Sequence, residues 1–463
     1  SPDTAAPGVS LNSIDFTKAV PACKKAITET NGSARAHFNL ARALIAAEKF
    51  PGARENAKVA VSKGYEIATV VLGYLEASSK DNSEAQSRAT KLYERAAKAG
   101  LPLAAYTLAI RLSQGLGTSP DQSSALKWMR FATERDFPPA LNESGRAYLN
   151  GSLVRKDLGL AFKYFSRAVE LQYGPAMINL AGLYEANDGV GRDLKKAENI
   201  LLKCIEINYK PCHLALGRLY SWHGQTIEDY RLAEKHLRIA YKNNPQEAAA
   251  DLGLLLHDVE ELEANENEVF ELVSMGAERG LFMAKVSLGE LLIQGKGTGQ
   301  DVASGLRVLE EVAQENFQEA FLSLAEIYSK GIGVTRSTEE TSKWLRKAAK
   351  AGHLQSEYKL ATLMIKGELS QHTVQDGLDA MEGLAYRGYS DAQWHLGWYN
   401  KWIINPPNLE EAVKWYQMGA ESGDKLSKIT YGEMLARGQG IEKNEELGLE
   451  IMKSVAETGD LSA

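Results

Sequence analysis

The residues best suited to chemistry are scattered along the chain. Eight histidines (His37, His213, His223, His236, His257, His353, His372 and His395) never stand in H-E-x-x-H or at zinc-finger spacing from a cysteine. Cys212-His213 is an isolated dipeptide. No G-x-S-x-G elbow is present, and none of the three cysteines, Cys23, Cys204 and Cys212, sits in a nucleophile motif. Acid pairs such as Glu310-Glu311 and Glu339-Glu340 read as solvated helix faces. Gly295-Lys296-Gly297-Thr298-Gly299 has the composition of a phosphate cradle. That chemistry needs a strand before the glycines and helix amides after them. Here a helix precedes, and similar turns recur at Gly115, Gly151, Gly331, Gly367 and Gly438, so a repeat turn is expected. The residue set predicts no catalysis, no metal site and no cofactor. Asn31-Gly32-Ser33, Asn142-Glu143-Ser144 and Asn150-Gly151-Ser152 are formal glycosylation sequons, which matter only in a eukaryotic secretory pathway.

The remaining feature is aromatic. Four of the seven tryptophans lie between Trp394 and Trp415, and Trp394, Trp398 and Trp402 step by four along one helix face. Packed inward, such a stripe is ordinary core. Facing solvent, it has the composition of an interaction hot spot. Leu396 and Gly397 already supply a packing face for this helix, which favours the open stripe.

Composition narrows the class. A chain of 463 residues is too long for one compact core, so several domains or an extended array is expected. With 44% hydrophobic and 24% charged residues it reads as folded. A net charge of −7 gives no reason to expect nucleic acid or a membrane surface as partner. No apolar run approaches the ~18 residues of a membrane span. Three cysteines are too few for a disulfide framework. The sequence begins at Ser1 with no signal peptide in view, which fits a mature exported chain as well as an excised piece.

The elements that must position these residues follow a strict register. Residues 1–11 are Pro-, Ala- and Ser-rich and read as a flexible leader. Residues 12–35 hold one helix, from about Phe16 to Glu29, with Pro21 inside it; it reads as the second half of a repeat. From 36 to 463 small residues open a series of first helices: Ala36, Ala68, Ala104, Ala140, Ala176, Cys212, Ala248, Ala284, Ala320, Ser356, Ala392 and Ser427. From Ala68 to Ala392 the step is 36 residues throughout. The position four residues on is mostly Leu, and the next is always Gly or Ala, small enough for a partner helix to approach. Second helices have their own line, including Ala125, Ala161, Ala197 and Ala412, often followed by an aromatic such as Trp128, Tyr164 or Trp415. The turn after each second helix holds Gly64, Gly100, Asp136, Gln172, Asn208, Asn244, Gly280, Asn316, Gly352, Gly388, Gly423 and Gly459. Eleven of these twelve are Gly, Asn or Asp, which tolerate left-handed backbone, so the pattern is not chance. The unit at Ala248 departs most, with an acidic, glycine-free turn from Asp258 to Glu268 that predicts a bend or an exposed loop. No segment alternates like a strand. The expected fold is all-α, a right-handed α-α superhelical solenoid of about twelve helix-turn-helix repeats.

Gly331-Ile332-Gly333-Val334 and the run from Lys343-Trp344 to Lys347-Ala348-Ala349 carry a resemblance. They are similar to the Sel-one-like repeat (SLR), a relative of the tetratricopeptide repeat. Its pattern is A-x3-L-G-x2-Y, a glycine turn, then D-x2-K-A-x2-W-Y-x-K-A-A-x2-G. The resemblance runs from about Ala36 to the C-terminus. It implies a non-catalytic scaffold or adaptor that holds a protein or peptide on a concave surface, with no nucleic-acid partner. A bacterial envelope or signalling context, with export to the periplasm or medium, is the favoured implication. An endoplasmic-reticulum quality-control adaptor and the regulatory repeats of a larger enzyme are the alternatives, and a cytoplasmic location stays open.

Three expectations follow from this resemblance. Cys204 ends a second helix at the place of Ala168 and Ala240, and Cys212 opens a first helix at the place of Ala176 and Ala248. In the cysteine-rich SLR subgroup such pairs are bridged, which implies a disulfide worth about 2–3 kcal/mol. Two buried free thiols are the alternative in a reducing compartment. Cys23 is expected to be free. Next, Thr458 to Ala463 reads like the start of another unit, so sequence is expected to continue or a partner to cover that end. Last, in tetratricopeptide-like units the groove is lined at two, six, and nine or ten residues after the opening position. That assigns partner binding to Tyr358, Trp394, Trp398, Lys401 and Trp402.

Overall fold

The computed structural model describes residues 14–79, 81–152, 154–186 and 191–456. The leader at 1–11, the turn at Gly459 and the opening of a further unit at Ala463 lie outside them. Among the described residues the chain forms 25 α-helices and one short 3-10 turn, with no strand. After α1 (Phe16–Glu29) the helices come in pairs, from α2 (Ala34–Ala46) and α3 (Phe50–Ser62) to α24 (Lys425–Arg437) and α25 (Glu445–Ala456).

The register explains the pairing. The opening small residues Ala104, Ala176, Ala284, Ala320 and Ala392 are fully buried, because a neighbouring helix lies against each of them. The small residue five positions on sets the approach within a pair. In α22 (Ser390–Trp402) a Cβ added to Gly397 would stand 2.8 Å from the ring of Tyr416 in α23 (Leu409–Glu421). One polar residue then ties several of the pairs together. The backbone N–H of Asp301 donates to the Leu292 carbonyl at the end of α16 (Phe282–Gln294), at 2.8 Å. Its carboxylate accepts from the Ser304 N–H at 3.0 Å and so caps α17 (Val302–Gln314). Asp121, Asp157, Asp193 and Asn408 do the same at the start of their helices.

The turns between pairs are left-handed, as the residue types require. Gly352, Asp136, Asn208 and Asn316 have φ of 93°, 53°, 61° and 60°, and Gln172 joins them at 57°. Asn244 does not, with φ −148°. It precedes Pro245, whose ring forces the residue before it into extended backbone. The acidic turn expected over 258–268 is confined to 259–265, where it winds into a 3-10 turn, Glu260–Leu262, and Asn265 caps the next helix.

The chain divides into two units, one ending at Gly224 and the other beginning at Gln225. In the first, α2 stacks on α4 (Ile67–Ala77), α8 (Pro138–Asn150) on α10 (Gly174–Ala186), and α10 on α12 (Cys212–His223). In the second, α14 (Pro245–Asp258), α16 and α18 (Gln318–Lys330) stack in turn, as do α22 and α24. First helices are therefore neighbours within each unit, and the core is a string of local clusters. One of them gathers Leu309, Leu324, Trp344, Leu345 and Leu360 from successive helices. Stability in such an array is a sum of local terms.

Candidate partner-binding surface

The first helices carry polar and aromatic ladders across successive pairs. In the second unit His257 Nε2 lies 3.1 Å from Glu290, which accepts from the Ser323 hydroxyl at 2.6 Å. Further along, the Tyr358 hydroxyl of α20 (Leu354–Ile365) meets His395 Nδ1 of α22 at 3.1 Å. Tyr358 also packs on Tyr389 at 5.6 Å, and His395 meets the Trp398 ring edge-on at 5.7 Å. Burial lowers the affinity of His395 for a proton, with Lys366 adding to the effect, and burial pushes the Tyr358 phenol up. Both groups stay neutral near pH 7, so the contact is a hydrogen bond between neutral partners.

The tryptophan stripe is graded. Trp394 is half-buried and packs beside Ala412, Val413 and Tyr416 of its partner helix α23 and Met434 of α24, so its ring belongs to the core. Trp398 is half-buried against His395. Trp402 is 64% exposed. Lys401, expected beside it in the groove, is only 8% exposed. Its Nζ lies 5.0 Å from the centroid of the Trp402 ring, and burial lowers its pKa. Lys401 therefore supports Trp402 from beneath and presents little surface of its own.

Sequence reasoning missed three residues here. Ile403 and Ile404 follow Trp402 and are exposed, so the end of α22 shows a continuous apolar patch. Ile403 stands where Gly115, Gly151, Gly295, Gly331, Gly367 and Gly438 end other first helices, and its φ is −103° where theirs are positive. That replacement was the available signal. Trp222 occupies the register position of Trp402 in α12 and is 63% exposed. Elsewhere this position is mostly polar, as at Gln114, Asn150, Lys330 and Arg437.

The other candidates have structural roles or none. Cys204, in α11 (Leu194–Glu206), and Cys212 are bonded to each other, with Cα atoms 6.1 Å apart and both side chains fully buried. Cys23 is unbridged and half-buried on α1. Gly295 and Gly297 have φ of 72° and 69°, matching Gly331 and Gly333 at 74° and 67°. A Cβ on Gly297 would sit 2.1 Å from the Glu266 carbonyl oxygen, so that loop is pressed against the preceding pair. Among the described residues no three His, Cys, Asp or Glu side chains converge as metal ligands. No described helix is long and apolar enough to cross a membrane.

The Sel1 repeat model matches residues 72–101, 102–137, 138–173, 174–203, 211–245, 319–353, 390–424 and 431–460, more than half of the chain. The human protein sel-1 homolog 2 is 26% identical over 153 residues, covering 32% of this chain and 22% of that protein. An uncharacterized protein of Neisseria meningitidis serogroup B is 27% identical over 159 residues, covering 34% of this chain and 33% of its own. The matches thus span about a fifth and a third of these relatives. Among solved structures, a protective antigen of uropathogenic Escherichia coli with an SLR fold is 23% identical. The match covers 80% of this chain and 79% of that one, with a TM-score of 0.48. A Sel1 repeat protein from Oxalobacter formigenes is 24% identical, covers 53% of this chain and 96% of that one, and has a TM-score of 0.43.

Proposed function

The chain belongs to the Sel1 repeat family, and from that premise we propose that it is a non-catalytic adaptor whose partner protein or peptide docks at the end of α22. The observation that carries this reading is the exposed run Trp402-Ile403-Ile404, continuous with half-buried Trp398. A tryptophan left 64% exposed and followed by two exposed isoleucines buries little apolar area within its own fold. Its apolar area is gained only when a partner covers it. Tyr358, His395 and Trp394 hold Trp398 and the helix in place, and Lys401 fixes the Trp402 ring. The working surface is therefore Trp398, Trp402, Ile403 and Ile404, with Tyr358 at its edge.

The bridge between Cys204 and Cys212 favours an oxidising compartment, since such bonds persist outside the reducing cytosol. Export to a bacterial envelope is the first reading, and the endoplasmic-reticulum lumen is the second. Affinity capture from the source cells, run in parallel with the native chain and with Trp398→Ala/Trp402→Ala, tests the adaptor reading. The double variant is expected to lose the captured partner while keeping its helical circular dichroism. Equal capture by both proteins would sink the assignment.

A further inference from the structure

Two breaks in the repeat register meet in the first unit. Four residues after the opening position the repeat places leucine in ten units, among them Leu108 and Leu180, but Ser144 in α8. Eight residues into the second-helix line it places apolar residues, such as Ala97, Val169, Ile205 and Ala313. In α7 (Gln122–Thr133) it places Thr133. The two hydroxyls face each other at 3.0 Å. Both residues line a cavity of about 530 Å³. That volume is in the range of small-ligand and side-chain pockets.

The chemistry of the cavity is uneven in a useful way. Its walls are apolar and aromatic: Tyr106, Ile110, Met129, and the stacked rings of Tyr148 and Tyr164, whose centroids lie 5.7 Å apart. Its floor is polar. Thr133 Oγ1 donates its one proton to the Met129 carbonyl at 2.8 Å, so in the pair Ser144 is the donor. The lone pairs of Ser144 Oγ are then left to accept a hydrogen bond from whatever fills the space. The rim carries two arginines. Arg146 is paired with Glu143 at 3.1 Å, whereas Arg130 is exposed beside Tyr164 and offers its guanidinium to an anion.

We propose that this cavity binds the C-terminal residue of a partner peptide ending in tyrosine or tryptophan. The aromatic ring lies along the Tyr148–Tyr164 wall, its O–H or N–H donates to Ser144 Oγ, and the terminal carboxylate pairs with Arg130. No bond is made or broken. The site is independent of the α22 surface and stands or falls separately from it.

The test is isothermal titration of the full chain with N-acetyl-Gly-Gly-Tyr, its C-terminal amide, its Phe counterpart and free tyrosine. The tyrosine acid is expected to bind with Kd on the order of 0.1–1 mM, the affinity usual for a ligand of this size. The amide should bind about tenfold more weakly, one charge-assisted contact being lost. The Phe peptide should also be weaker, because it lacks the donor. Ser144→Leu restores the residue that the repeat prefers, so the fold is retained, and binding is expected to disappear. Arg130→Gln should erase the difference between acid and amide, and Ser144→Ala the difference between Tyr and Phe. Undiminished binding by Ser144→Leu, equal binding of acid and amide by the native chain, tighter binding of free tyrosine than of the peptide, or no binding at millimolar peptide would each overturn the proposal.

Discussion

Removing the Cys204–Cys212 bridge isolates one local stability term. The two cysteines are eight residues apart and close the tight turn between α11 and α12. Their register equivalents are Ala168 with Ala176 and Ala240 with Ala248, all buried. The double variant Cys204→Ala/Cys212→Ala therefore places in this turn the residues that neighbouring turns already use, without strain or stray thiols. What is lost is the constraint on the unfolded segment. For a loop this short, chain entropy puts that loss at about 2.5 kcal/mol at 25 °C, or about seventyfold in a local opening equilibrium. Because stability in a repeat array is local, a whole-chain melting temperature would dilute the effect. Hydrogen exchange resolved along the chain is the appropriate assay. Amides from about Leu201 to Leu216 should lose about seventyfold in protection in the variant. Amides beyond α16 should be unchanged. Identical protection in both proteins, or a loss spread evenly over all helices, would refute the reasoning. Alkylation before reduction supplies the companion result: only Cys23 should be labelled in the native chain.

Gly397→Ala drives a methyl group into the Tyr416 ring and is expected to cost about 1–3 kcal/mol as overpacking; urea unfolding should show the loss, and Tyr416→Leu in the same chain should recover most of it. Glu76 is buried and receives Arg54 at 2.7 Å and Arg88 at 2.9 Å. Glu76→Ala removes the carboxylate shared by two partly exposed guanidinium groups, of which Arg88 keeps Glu84 at 3.7 Å, and should cost about 1 kcal/mol, read by the same assay. The capping carboxylates Asp121, Asp193 and Asp301 are held below their ordinary pKa of 3.8 by hydrogen bonds from Ser124, Lys196 and Ser304. A lowered folded-state pKa means that their contribution is whole above 3.8 and is lost as the pH falls through the folded value. The gap in urea resistance of helical circular dichroism between the native chain and Asp301→Asn, which caps without titrating, should therefore hold constant from pH 7 to pH 5 and narrow below pH 3.8.

The all-α fold was legible because its signals are local. The side chains of one helix face recur at fixed spacing, and a left-handed turn selects its residue types through its own backbone. Asn244 escaped because Pro245 overrides it. The site was less legible, since it depends on which helix covers which face. Trp394 and Trp402 share a stripe in sequence, yet α23 and α24 cover Trp394 and leave Trp402 open. Lys401 was expected at the surface and lies under a ring. Trp222 carried the same register as Trp402 but stood alone, with no neighbouring tryptophan to mark it. Ser144 and Thr133 each look like minor lapses in a repeat. Their meeting across α7 and α8, in the lining of one cavity, shows only in the structure.

The adaptor account rests on a partner covering the end of α22, and photo-crosslinking reads that contact directly. A photoreactive phenylalanine analogue at position 402, and in a second protein at position 414, whose lysine is exposed on α23, are irradiated in source-cell extract. The account predicts a discrete crosslinked partner from position 402, competed away by unlabelled native chain but not by Trp402→Ala, and none from position 414. Crosslinks from 414 alone, or none from 402, would contradict it.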